Sequence, residues 1–357
     1  MSCRPFDWVI RFGAATGVLL CSAALVAGQT TGTPPAAPKK AADAPRSSAR
    51  AWKAPRTSDG HPDLQGVWNF STATPLERPG ELGGKDLLSD DEAAEFAERE
   101  AARNDHDKNK PADIVGNYNE FWYDGNKKVV GTKRTSLVID PPEGRLPPLT
   151  PEAQRKDETT ALARKGIGRH EPTPGGWVEE LGPGGLQVRC ILGFNSGPPM
   201  TPAAYNQNFQ LFQTPQNVVI LNEMVHNARI VPMDGRPRSS IRQWVGDSRG
   251  RWEGDTLVVE TTNFLRETAF LNGKTTPKLR LIERFTLVDR DTLLYEFTVN
   301  DPNVWTRPWT AQIPMTRNPQ GMYEYACHEG NYGLPGILGG ARLKEKAAED
   351  AARKSSK

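Results

Sequence analysis

The chain has 357 residues, a formal net charge of +2 and a hydrophobic fraction of 37%, enough for one large domain or two small ones. That near-neutral balance, with no stripe of Lys and Arg interleaved with aromatics, gives no electrostatic case for nucleic acid. Gly (33), Pro (30) and 9 Trp argue for short strands joined by many turns rather than long helices.

Arg4 and Arg11 precede an apolar stretch from Phe12 to Ala27, closed by Val26-Ala27-Gly28-Gln29. Basic, apolar, then small is the order of a secretory signal peptide, expected over residues 1–28. The apolar part is short for a membrane span, although an uncleaved N-terminal anchor is the alternative. No later stretch qualifies as a span, so the mature protein is expected in the periplasm or secreted. Residues 29–56 are rich in Pro, Ala, Thr, Lys and Ser and read as a tether, unable to bury enough surface to offset their ordering entropy.

A single β-rich domain is expected over 57–341. Its first part, 57–200, is irregular and holds two surface helices. Ser89-Asp90-Asp91-Glu92 is a capping box, and Ala93, Ala94, Phe96, Ala97 and Ala101 continue at helical spacing. Thr150-Pro151-Glu152 places an N-cap and a proline at the first helical position, with a run to Lys165 and Gly166 as the stop. Between them, Tyr118 and Trp122 sit in a dense aromatic and amide cluster that reads either as a ligand wall or as a satellite core.

From 201 to 341 the pattern becomes a meander, with strands expected at 209–213, 218–223, 228–233, 241–246, 256–263, 279–288, 292–299, 309–313 and 322–327. Short loops containing Gly235 and Gly254 imply antiparallel neighbours. Closing such a meander into a barrel hides its edges. The fold class expected is therefore mainly β, an antiparallel meander closing into a barrel with a few peripheral helices. Residues 342–357 form a charged tail able to make a marginal helix.

Strand alternation nominates the first site. Leu279, Leu281, Glu283, Phe285 and Leu287 share one face, which puts Glu283 inside the barrel. A carboxylate there must be protonated, paired or in contact with water or ligand. It is a candidate general acid/base or ligand anchor, or else one half of an ion pair with an inward Arg. On the expected strand through 223–230, Met224, His226, Ala228 and Ile230 share one face and Glu223, Val225, Asn227 and Arg229 the other. His226 is a candidate proton shuttle, and Arg229 a fork for a carboxylate, whether a ligand's, Glu223 or Glu283.

Cys190 and Cys327 are the two cysteines left after the signal segment. In an oxidising compartment they read as one disulfide, worth on the order of 4–5 kcal/mol by chain entropy for a loop of roughly 140 residues. Two separate buried thiols and a Cys327-His328 metal fragment are the alternatives. A bridge at Cys327 would fix His328 at a barrel rim, where loops carry function. No C-x-x-C or H-x-x-x-H spacing, nucleotide loop or nucleophile elbow occurs, so neither metal nor cofactor is expected.

Two resemblances accompany these readings. Asp63-Leu64-Gln65 followed by Gly66-Val67-Trp68 resembles the G-x-W that opens the first strand of lipocalins, which implies a lipocalin-like barrel. The mature part is longer than a lipocalin and lacks T-D-Y. The segments Arg242-Gln243-Trp244, 246–257 and 323–332 are similar to a family of exported proteins of soil bacteria, over about 62–341; that resemblance implies no activity.

The function expected is an exported small-molecule-binding protein. Its barrel anchors the ligand through Glu283 and Arg229, with Glu223, Tyr118, Trp122 and Trp244 as further contacts. A hydrolase or lyase on the same scaffold, using Glu283, His226 or His328 in acid/base chemistry, is the alternative, because fold does not fix function. An envelope scaffold or partner-binding protein is the third.

Overall fold

The computed structural model describes residues 52–105, 107–108, 120–124, 127–163, 165, 183–265 and 270–355. The expected signal segment and most of the expected tether lie outside them. One structural unit begins at Trp52.

Among the described residues, ten strands form one antiparallel sheet. They are β1 (Gly66–Asn69), β2 (Val138–Asp140), β3 (Asn208–Gln213), β4 (Asn217–Asn222), β5 (Ala228–Pro232), β6 (Asp247–Glu253), β7 (Thr256–Thr262), β8 (Arg280–Leu287), β9 (Thr292–Asn300) and β10 (Trp309–Arg317). The order is β5-β4-β3-β1-β10-β9-β8-β7-β6, with β2 added to β10. Two meanders, β3 to β5 and β6 to β10, are thus joined through β1. The sheet nearly closes into a barrel, as β5 comes up beside β6.

The number of strands on the main path sets how β5 and β6 meet at the seam. With nine strands alternating in direction around the path, the first and the ninth point the same way, so the antiparallel ladder cannot continue across the β5/β6 seam. Gly250 makes the close approach possible. A Cβ there would overlap Met233 Sδ and meet Val231 Cγ1 at 3.0 Å. Gly250→Val is expected to cost about 1–3 kcal/mol by overpacking, read as a lower urea midpoint, whereas substitution at the open Gly254 turn, with nothing within 4 Å, lacks that clash.

Inward residues alternate along each long strand. On β9, Leu293, Tyr295, Phe297 and Val299 are fully buried, and on β10 Trp309, Ala311, Ile313 and Met315 follow suit. With Trp68, Phe209 and Phe285 they fill the interior with one continuous core. The G-x-W segment does open a strand, and Trp68 Nε1 donates to Leu64 O at 2.9 Å.

The helices lie where their signals put them. α1 (Asp90–Arg103) starts at the Ser89 capping box and buries Phe96. In α2 (Pro151–Ala163) Ala153 joins the core, and Thr150 Oγ1 accepts from Ala153 N. α3 (Pro183–Val188) was not expected, and α4 (Gly333–Ser355) begins well before the charged tail. No helix among the described residues is long and apolar enough to cross a membrane.

Several expected boundaries need correcting. Residues 241–246 form a bend and turn with a single bridge at Gln243, because Asn263 Nδ2 takes the carbonyls of Ser239 and Ile241. Residues 322–327 form no strand, since Tyr323 N donates to the Glu223 side chain and Cys327 N to Tyr325 O instead of a ladder. The strand through Glu223 ends at Asn222, and a 3-10 turn at Met224–His226 breaks the expected alternation. β6 went unread because its sequence, Asp-Ser-Arg-Gly-Arg-Trp-Glu, is polar and its burial barely alternates.

Candidate functional site

Two clusters gather the sequence candidates. The first is inside the barrel, where alternation on β8 does turn Glu283 inward, with no solvent exposure. Arg229 on β5 reaches across to it, Nη2 donating to Glu283 Oε1 at 2.8 Å and Nη1 to Oε2. Tyr295 on β9 donates its hydroxyl to Glu283 Oε1 at 2.9 Å and accepts from Met200 N at 3.2 Å. A Ser248–Thr261 hydroxyl pair at 2.8 Å continues the chain beside Arg229.

Each group here answers another, so the carboxylate is paired rather than waiting for a ligand. Burial opposes the Arg229 charge, but Glu283 outweighs it and raises the guanidinium pKa. Burial first, and then the Glu283 charge, raise the Tyr295 phenol well above its ordinary range. The folded state therefore holds that proton more tightly than the unfolded chain, whose phenol titrates near 10. Stability from this group is complete below pH ~10 and lost as pH rises above it. Urea unfolding of wild type and Tyr295→Phe at pH 8 and pH 11 should show the wild type's advantage shrinking at the higher pH.

The second cluster is at a corner of the barrel. Cys190 and Cys327 form a disulfide with a Cα–Cα distance of 5.9 Å. Cys190, Met224 and Val225 pack together there, with Phe194, Tyr205, Tyr325 and Cys327 around them. Tyr205 meets Phe194 and Tyr123 edge-on, at 5.3 and 5.9 Å between ring centroids. Four non-glycine residues at this corner have left-handed backbones: Cys190 (φ 56°), Asn206 (φ 53°), Val225 (φ 58°) and His226 (φ 40°). Asn tolerates this conformation, but at residues such as Cys190 and Val225 it costs of order 1–3 kcal/mol each and persists only where the surroundings over-determine it. A β-branched residue at φ 58° is especially uncommon.

This backbone projects His226 into solvent. His328, next to the bridged Cys327, is also exposed, and the two imidazole centroids are 6.5 Å apart. Glu223 lies beneath, buried, accepting from Asn208 Nδ2 at 2.8 Å and more weakly from Asn208 N and Tyr323 N. Asn331 Nδ2 donates to Val188 O at 2.8 Å, tying the segment after His328 to the one before Cys190. Asn195, 1% exposed, donates to Tyr205 O and Asn206 O, while its own Oδ1 finds no partner among the described residues.

The remaining candidates are scattered. Trp122 is 59% exposed and edge-on to Phe121, one residue from the Tyr123 that touches the corner. Trp244 lies half-buried in the turn before β6, and Tyr118 falls outside the described residues. Glu283 and the two histidines are not one constellation: the carboxylate is tied inside the barrel while both rings face water. Arg229 holds Glu283 and not Glu223.

Tyr295 was missed, although the alternation that nominated Glu283 also turns it inward, and β8 pairs Phe285 with it. Tyr205, Phe194, Asn195 and Asn331 carried no signal in the sequence, since only the bridge and the left-handed turns assemble them. A separate concave surface of about 210 Å³ is lined by residues including Asp59, Asp63, Gln65 and Gln213, and contains none of the candidates. Among the described residues, no group of three or more His, Cys, Asp or Glu is placed to hold a metal ion.

Fold and corner together define a class: an antiparallel, nearly closed β-barrel protein braced by one long-range disulfide. No family model matches the chain, and neither a curated protein nor a solved structure is significantly similar to it.

Proposed function

We propose that this is an exported small-molecule-binding protein whose ligand sits at the disulfide corner and not among the buried groups of the barrel. One observation carries the reading: four left-handed non-glycine residues converge beside one disulfide, and two solvent-facing imidazoles stand there with a partly open aromatic wall. Strained backbone collects at ligand sites because it fixes side chains that packing alone would not. The aromatic rings supply stacking area, and the exposed imidazoles supply orientation. The interior is less suited to a ligand, since Arg229, Glu283 and Tyr295 already satisfy one another. A disulfide over this separation supports an oxidising compartment, in keeping with the basic, apolar and small-residue order at the N-terminus.

Native mass spectrometry of protein recovered from its own periplasm tests this. A bound organic mass is expected, lost in Tyr205→Ala and kept in Glu283→Gln. The opposite pattern moves the ligand into the barrel, and a bare mass in every preparation counts against binding. A hydrolase or lyase is the second reading, favoured by the exposure and proximity of His226 and His328, two groups able to move protons.

A further inference from the structure

We propose that His226 and His328 together hold one borderline divalent transition-metal ion at the disulfide corner. This deepens the ligand-site reading and rests on the same corner. The geometry comes first. An imidazole nitrogen binds such an ion at about 2.0–2.1 Å, which puts each ring centre roughly 3 Å from it and two rings on a shared ion about 5–6 Å apart. The two centroids are 6.5 Å apart with a 50° tilt between planes. Both side chains are exposed, so rotation about their own bonds supplies the adjustment of about 1 Å that this bond length requires.

The backbone makes the pair more than two surface residues. His226 follows Val225 in a turn of left-handed residues whose Met224 and Val225 pack on Cys190. His328 follows Cys327, which is bonded to that same Cys190. The two ligands are far apart in sequence but braced through one covalent link. Less ordering entropy then remains to be lost when an ion joins them.

Donor type decides which ion. Both cysteine sulfurs of the corner are in the disulfide, so no thiolate is offered, and Glu223 is engaged by Asn208 and Tyr323. Two imidazole nitrogens favour Cu²⁺, Ni²⁺ and Zn²⁺ over Mg²⁺ and Ca²⁺. Structural sites use four protein ligands and catalytic ones commonly three. A pair gives an exchangeable site with open positions for solvent or the donor atoms of a small molecule. Glu324 and Glu329, exposed in the same segment, are the carboxylates nearest in sequence to His328.

The test uses the full chain, stripped of metal and titrated with CuCl₂, NiCl₂, ZnCl₂ and MgCl₂ by calorimetry. Electron paramagnetic resonance reads the nitrogen count on bound Cu²⁺. One ion per chain is expected, tightest for Cu²⁺ and absent for Mg²⁺, with two imidazole nitrogens bound. His226→Asn and His328→Ala should each weaken Cu²⁺ at least tenfold and leave one nitrogen. Asn is chosen at 226 because it tolerates the left-handed backbone, and thermal melts confirm that both variants fold. His61→Ala, which removes the ring stacked on Trp252 at 4.7 Å, should leave binding unchanged. Absence of Cu²⁺ binding, or binding unaltered in both corner variants, overturns the proposal. An organic adduct that survives metal stripping leaves the ligand-site reading standing, while the titration alone decides the metal.

Discussion

Glu283→Gln is expected to lower folding stability by about 3–5 kcal/mol, the usual cost of removing one partner from a buried ion pair. Glutamine preserves the shape but leaves the Arg229 guanidinium charged, 5% exposed and without its counter-charge. Tyr295 loses a charged acceptor at the same time. In urea the midpoint should fall while the slope stays near that of wild type, since the surface exposed on unfolding is unchanged. The double replacement Arg229→Met and Glu283→Met should lose less than Glu283→Gln alone, because apolar side chains of similar volume strand no charge. A Glu283→Gln protein as stable as wild type would show that the pair does not hold the barrel together. Loss of a bound ligand at unchanged stability would return Glu283 to the role of an anchor.

The second large effect belongs to the disulfide. Its partners are separated by 137 residues, so replacing both cysteines with alanine should cost about 4–5 kcal/mol by the chain-entropy model. Comparing the urea midpoints of oxidised, reduced and doubly substituted protein measures this. A reduced protein within about 1 kcal/mol of the oxidised one would contradict that model. The loss should also be uneven in space. Once the link is cut, Val225 and His226 lose the packing that holds their left-handed backbones, and amide exchange around 222–228 and 323–332 should speed up more than in β8 to β10.

Much of the barrel was legible because its physics is local. Strict alternation on β8 and β9 exposes one buried face per strand, and the capping box of Ser89 and the N-cap of Thr150 mark helix starts without tertiary information. The strand direction of Glu283 was readable for the same reason. Its partner was not, since alternation places Arg229 on a face but cannot tell which carboxylate lies across the interior. The corner was less accessible still. Reading 223–230 as one strand put His226 on a face with Met224, whereas positive φ at Val225 turns the chain there, and no rule of composition foresees a left-handed valine. The Cys190–Cys327 pairing was readable by elimination, but not that it would draw Tyr205, Phe194 and Asn331 around it. β6 was hidden by its polar sequence, as a strand at one end of a sheet need not bury every second residue.

The position of β1 has a consequence for how the chain is made. Its four residues lie between β3 and β10, pairing Trp68 with Phe209 on one side and with Arg317 on the other. The earliest strand of the barrel is thus also the keystone between its two meanders. As the polypeptide is synthesised from its N-terminus, this segment must wait for some 250 further residues before its second neighbour exists. Until then the unpaired backbone of Gly66–Asn69 and the indole of Trp68 are open to mispairing, a delay that any helper protein receiving the nascent chain would have to cover.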